Sequence, residues 1–172
     1  MKRISPSQKS LIACLLFIVF GLVGWFLSTS NTMHSLPLLL YYAVLVFNTF
    51  FSIRAFSAIT PRNSAQTAFD MVLVGIYCAL AFSFASTVYF ALFSALLFLV
   101  AVAKYVHLRK LIASSTLLER KIRIDVLGAL LSVATLCIAV AGWPLGAAWI
   151  LCIVFALASV YLLLINPMYR VD

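Results

Sequence analysis

Charge in this chain is confined to a few short stretches, and the tracts between them carry none. From Met71 to Ala103 there is no Asp, Glu, Lys or Arg. As one helix that tract would measure about 50 Å, too long for a bilayer core of about 30 Å. It must therefore fold back on itself, and Ser83-Phe84-Ala85-Ser86-Thr87 is the natural turn. The same reading extends to the rest of the chain, which is 66% hydrophobic and 9% charged, with a mean hydropathy of +1.18. A soluble domain of 172 residues could not hide so much apolar surface, so lipid must solvate much of its exterior.

Repeating this argument predicts one all-α transmembrane domain over residues 1–172, a six-helix bundle with short loops. The helices are expected at about 11–27, 36–54, 65–83, 88–107, 118–140 and 144–165. Pro61 disfavours helical geometry at Thr60, which sets the break after the second helix. Ala141-Gly142-Trp143-Pro144 is the last turn, with Pro144 suited to the first position of the sixth helix. Asn166-Pro167 stops that helix.

Lys2, Arg3 and Lys9 ahead of Leu11–Leu27 resemble the start of a secretion signal, but no A-x-A cleavage site follows. Leu11-Ile12-Ala13-Cys14 matches a lipobox but has no apolar segment before it. The first helix is therefore expected to be retained.

All twelve Lys and Arg fall at the two ends of the chain or beside the second–third and fourth–fifth connections. The other three connections are uncharged. By the positive-inside rule the protein is a multi-pass component of a cell membrane with both termini cytosolic. The same rule accounts for the net charge of +8 without nucleic acid as a partner. Trp25, Trp143 and Trp149 gather toward the uncharged side, as an aromatic belt requires.

Half of the charged residues lie between Lys104 and Asp125. Lys104, Lys110, Arg120, Lys121 and Arg123 are the expected contacts for anionic lipid on the cytosolic face. Arg54 and Asp70 recur, at the same separation, as Arg109 and Asp125. This suggests a parallel duplication of a two-helix hairpin, each copy locked by an Arg–Asp ion pair. The alternative role for Asp70 and Asp125 is proton or cation coupling at the inner mouth of a pathway, because a carboxylate at membrane depth is costly and often functional. Asn48, at membrane depth, and Tyr77 are candidates to line such a polar pathway. Gly128, Ser132, Thr135 and Ala139 form a face of small residues suited to close helix packing.

Nothing in the chain calls for a cofactor or a metal. His34 and His107 belong to opposite sides of the membrane, and Cys14, Cys78, Cys137 and Cys152 lie in apolar runs as buried thiols without CxxC spacing. No catalytic motif is present, so no catalytic residue is assigned and the chain is read as non-enzymatic. The leading functional expectation is an accessory or assembly component acting through its helix faces and basic cytosolic loop. Its partners would be the bilayer and either a second copy or another membrane protein. The alternative is a small-solute or ion transporter or channel subunit, oligomeric because one chain has so few intramembrane polar groups. Asp70, Asp125 and Asn48 converging on a cavity would favour transport; each Asp pinned by Arg with no cavity would favour the accessory role.

Overall fold

The computed structural model describes residues 5–28, 32–61, 63–112 and 116–165. Lys2, Arg3, Arg62, Arg170, Asp172 and the side chain of His34 lie outside that set. Six helices follow one another: α1 (Pro6–Leu27), α2 (Thr32–Phe56), α3 (Ser64–Ala81), α4 (Thr87–Leu111), α5 (Thr116–Val140) and α6 (Pro144–Val160). α6 continues into a π-helical turn, Tyr161–Ile165. The six are long and apolar enough to cross a membrane, and no strand occurs among the described residues. In lipid a spanning segment must satisfy its own backbone groups, which a helix does.

The helix ends follow local chemistry. Ser5 and Gln8 form a reciprocal capping box, with Pro6 opening α1. Asn63 caps α3 by accepting from the Gln66 amide at 2.7 Å. Gly142 takes φ +97° in the turn before α6, a backbone geometry that favours glycine. Four elements, α1, α2, α4 and α5, run longer than the sequence suggests, α1 starting at Pro6. α2 begins at Thr32, so Pro37 lies inside it and one helical donor is missing there. α4 reaches Leu111 and α5 begins at Thr116, so the charged island is mostly helix and only residues 112–115 connect the two.

The helices close into a ring in the order α1, α3, α4, α5, α6, α2, with α4 against α5 as its most extensive interface. The small-residue face of α5 forms part of that interface. Ser132 donates to the Gly128 carbonyl, so Ser94 donates to Ser132 and Tyr41 in turn donates to Ser94. This directional chain ties α2, α4 and α5 together. α2 also reaches α1 through Tyr42 to the Phe17 carbonyl (2.9 Å) and α6 through Asn48 to Ser159 (2.5 Å). Interhelical hydrogen bonds of this kind contribute about 0.6 kcal/mol each on average.

On the uncharged side, Leu38, Tyr41, Leu80, Phe84 and Phe90 are wholly buried. Phe84 stacks on Phe90 and meets Trp25 and Tyr42 edge-on. That packing anchors the expected turn between α3 and α4, which contains neither Gly nor Pro. Of the cysteines, Cys14 and Cys152 are buried as expected, but Cys137 points outward and Cys78 is half-buried.

The two segments proposed as duplicated hairpins pack differently. α4 and α5 lie side by side, whereas α2 and α3 meet chiefly at Tyr77, whose hydroxyl bonds Thr49 and whose ring meets the edge of Tyr42. Toward the basic end α2 and α3 do not pack on each other, and that space forms part of the candidate site.

Candidate ligand cavity at the basic end

A cavity of about 1250 Å³ occupies the basic half of the bundle, and all six helices contribute to its wall. α2 supplies Asn48, Thr49, Ser52 and Phe56, a stripe at helical spacing. α3 supplies Gln66, Asp70, Val74 and Tyr77 in the same way. Leu97, Phe98, Lys104 and Tyr105 come from α4, and Lys121, Asp125, Gly128 and Leu131 from α5. α6 contributes Phe155 and Ser159, and its π-helical turn presents both Tyr161 and Leu162 to the space.

At the centre of the wall two ion pairs flank one aromatic ring. Lys104 Nζ lies 2.5 Å from Asp70, and Lys121 Nζ lies 2.5 Å from Asp125. Both ammonium groups also sit near the ring of Tyr105, at 5.7 and 5.6 Å from its centroid. The Tyr105 hydroxyl hydrogen-bonds Ser52 at 2.9 Å, which joins α2 to the cluster. The pairs differ in burial: the Asp125 side chain is 1% exposed, the Asp70 side chain 60%.

The carboxylates therefore take lysines, not the arginines expected from the sequence. Arg54 and Arg109 are exposed and form no ion pair with either Asp. The reason is helical geometry. Lys121 and Asp125 are neighbours at i, i+4 on α5, and α3 packs against α4 so that Asp70 faces Lys104. A second correction concerns lipid contacts. Lys104 and Lys121 are only 14% exposed and line the cavity, so they are not headgroup ligands at the surface. Lys110 and Arg123 do face outward, Arg123 at 3.9 Å from Glu119, while Arg120 is half-buried.

Asn48 and Tyr77 both lie on the cavity wall. Each also bonds across helices: Ser159 and Thr49 spend their own protons on the carbonyls of Phe155 and Leu45, so they accept from Asn48 and Tyr77 respectively. Asp70, Asp125 and Asn48 thus share one cavity.

Two lining groups, Gln66 and Ser57, were not singled out from the sequence. Neither side-chain amide atom of Gln66, 3% exposed, has a hydrogen-bond partner among the described residues. The same holds for Ser57 Oγ and Asp125 Oδ2. Such orphans are uncommon in proteins and call for an explanation. The signal for Gln66 was its spacing, since it stands four before Asp70 and eleven before Tyr77 on one helix face. At the far end the cavity meets aromatic packing, with Phe17 stacked on Tyr77 at 4.0 Å and Phe155 against Tyr41 at 4.5 Å. Comparison of the chain with protein-family models, curated proteins and solved structures finds no match.

Proposed function

We propose that this protein is a small multi-pass membrane carrier that takes its cargo from the basic, cytosolic side into the six-helix cavity. The observation that carries the reading is the convergence of Asp70, Asp125, Asn48 and Tyr77 on that one cavity. A purely accessory role gives no reason to hold buried, unpartnered polar groups around a space of this size. A continuously open channel fits poorly, because Tyr41, Phe84 and Phe90 fill the opposite half of the bundle. All six helices of one chain line the cavity, which stays partly open beside Asp70. The lining offers binding groups without a nucleophile–base pair, so the proposed role is cargo handling, not catalysis.

Filling the cavity tests this. Wild type and Ala101→Trp, which places an indole on the cavity wall, are compared in nanodiscs by thermal shift against a panel of small solutes and amphiphiles. A cargo should raise the melting temperature of wild type only, and proteoliposomes carrying wild type should exchange it. If every stabilising compound acts equally on the filled variant, the reading is wrong.

The orientation and the lipid preference belong to the same proposal. A membrane-impermeant maleimide should reach Ala85→Cys in intact cells and Ser64→Cys only after permeabilisation; the reverse pattern would invert the topology. Exposed Lys110 and Arg123 should each gain about 1 kcal/mol beside an anionic leaflet. Anionic lipid should accordingly raise the melting temperature, and less so in Lys110→Gln/Arg123→Gln. An equal rise in both proteins would rule out this contact.

A further inference from the structure

The chemistry left unsatisfied in the cavity indicates what it binds. The charged side chains on its wall are Lys9, Asp70, Lys104, Lys121 and Asp125. Lys104 and Asp70 neutralise each other, as do Lys121 and Asp125, leaving only Lys9 of α1 without an acidic partner on the wall. A cationic head would have to compete with Lys104 or Lys121 for a carboxylate, and an anionic head could be compensated by Lys9 alone.

Besides Lys9, what remains unpaired is neutral hydrogen-bonding capacity and one acceptor. Gln66 offers a donor and an acceptor, Ser57 a hydroxyl, and Asp125 Oδ2 an acceptor. A head bearing only acceptors, such as a carboxylate, would meet Asp125 Oδ2 unfavourably. Hydroxyl groups both donate and accept, and so complement all three. Beyond this polar zone the wall is mostly apolar, formed by Phe17, Leu45, Val74, Leu97, Phe98 and Phe155, and its other polar side chains include the mutually bonded pairs Asn48–Ser159 and Thr49–Tyr77. The volume, about 1250 Å³, exceeds the roughly 300–1,000 Å³ of ordinary small-molecule pockets.

We infer that the cavity binds a neutral amphiphile with hydroxyl groups at its polar end. The head is held by Ser57, Gln66 and Asp125 Oδ2, and the apolar part runs along the apolar wall toward Phe17 and Phe155. This inference rests on the reading of the cavity as a cargo site and names the cargo's class.

The test uses three photoreactive probes with the same diazirine-bearing ten-carbon chain and different heads: decanoylglycerol, decanoate and decyltrimethylammonium. Each is incubated with the full chain in phosphatidylcholine nanodiscs, cross-linked, and mapped by mass spectrometry. The decanoylglycerol probe should label cavity residues such as Val74, Leu97 and Phe98 in preference to the outward-facing Val133 and Leu157. Excess unlabelled decanoylglycerol should protect these positions, and the charged amphiphiles should not.

Gln66→Leu should raise the concentration needed for half-maximal cavity labelling roughly tenfold, with a smaller rise for Ser57→Ala. Neither variant should lose thermal stability without ligand, because each removes polar atoms that have no partner among the described residues. A variant that fails this control shows that the side chain is structural and overturns its assigned contact. Cavity labelling led by the decanoate or ammonium probe overturns the ligand class while leaving the cargo site intact. Labelling confined to outward-facing residues with all three probes overturns both. Cavity labelling by decanoylglycerol that ignores Gln66→Leu and Ser57→Ala overturns the placement of the head.

Discussion

Substituting Lys121 with methionine is expected to remove about 3 kcal/mol of stability, while Lys104→Met should cost less than about 1 kcal/mol. The two ion pairs have the same length, so the difference comes chiefly from burial. Asp125 is almost wholly enclosed, one of its oxygens is held by Lys121, and the other has no partner among the described residues. Without Lys121 the carboxylate must stay buried and unpaired or take up a proton, and either is expensive. Lys104, which shares the Tyr105 ring with Lys121, lies within electrostatic reach of Asp125, so the value falls at the lower end of the range for broken buried pairs. Asp70 has most of its side chain in contact with solvent, and water can solvate it once Lys104 is gone. Unfolding free energies in micelles would give the order. The double variant Lys121→Met/Asp125→Leu should recover most of the loss, since it removes both charges together. Equal losses at the two lysines, or a double variant no better than Lys121→Met, would refute this account.

The number of helices, their approximate spans and the segregation of charge could be read from the sequence because each follows from a one-dimensional constraint. Bilayer thickness sets the helix length, and uncharged tracts have to turn. Pairing is different, because it depends on which helices become neighbours in three dimensions. The Arg–Asp spacing implied two equivalent hairpins, yet α2 and α3 diverge where α4 and α5 pack closely. That divergence moved Asp70 away from the role assigned to it and toward Lys104 on α4.

The cavity was hidden for the same reason. Its polar groups come from helices far apart in sequence, and Gln66 near the start of a helix looks like an ordinary solvated residue until the neighbours that bury it are known. The i, i+4 spacings of Asn48 with Ser52, Gln66 with Asp70 and Lys121 with Asp125 were visible, but no single helix says that the three stripes face one space. Asp125 and Asn48, chosen because polar groups at membrane depth are costly, did fall on its wall.

The largest single-site effect outside the charged cluster should be at Gly24, where two helix backbones meet. A β-carbon there would lie 2.0 Å from the carbonyl oxygen of Ala81 and 2.6 Å from its carbon. No side-chain rotation can relieve a clash with backbone, so α1 must move away from the end of α3. Overpacking commonly costs 1–3 kcal/mol, and Gly24→Ala should fall at or above the top of that range, about 3 kcal/mol. Gly128→Ala should cost less. The atoms it meets, at 2.7–2.8 Å, belong to the Phe98 ring, and that side chain can swing into the adjoining cavity. Gly75→Ala meets nothing within 4 Å and should be neutral or gain up to about 1 kcal/mol from the better helix former. Thermal unfolding of the three variants in one lipid composition tests the series. The variants also bear on function, because α1 carries Ala13 and Phe17 of the cavity wall. Displacing it in Gly24→Ala should weaken cavity labelling as well as stability, whereas Gly75→Ala should leave both intact. A Gly24→Ala protein as stable as wild type would mean that α1 does not lie against α3 in the way that closes this side of the ring.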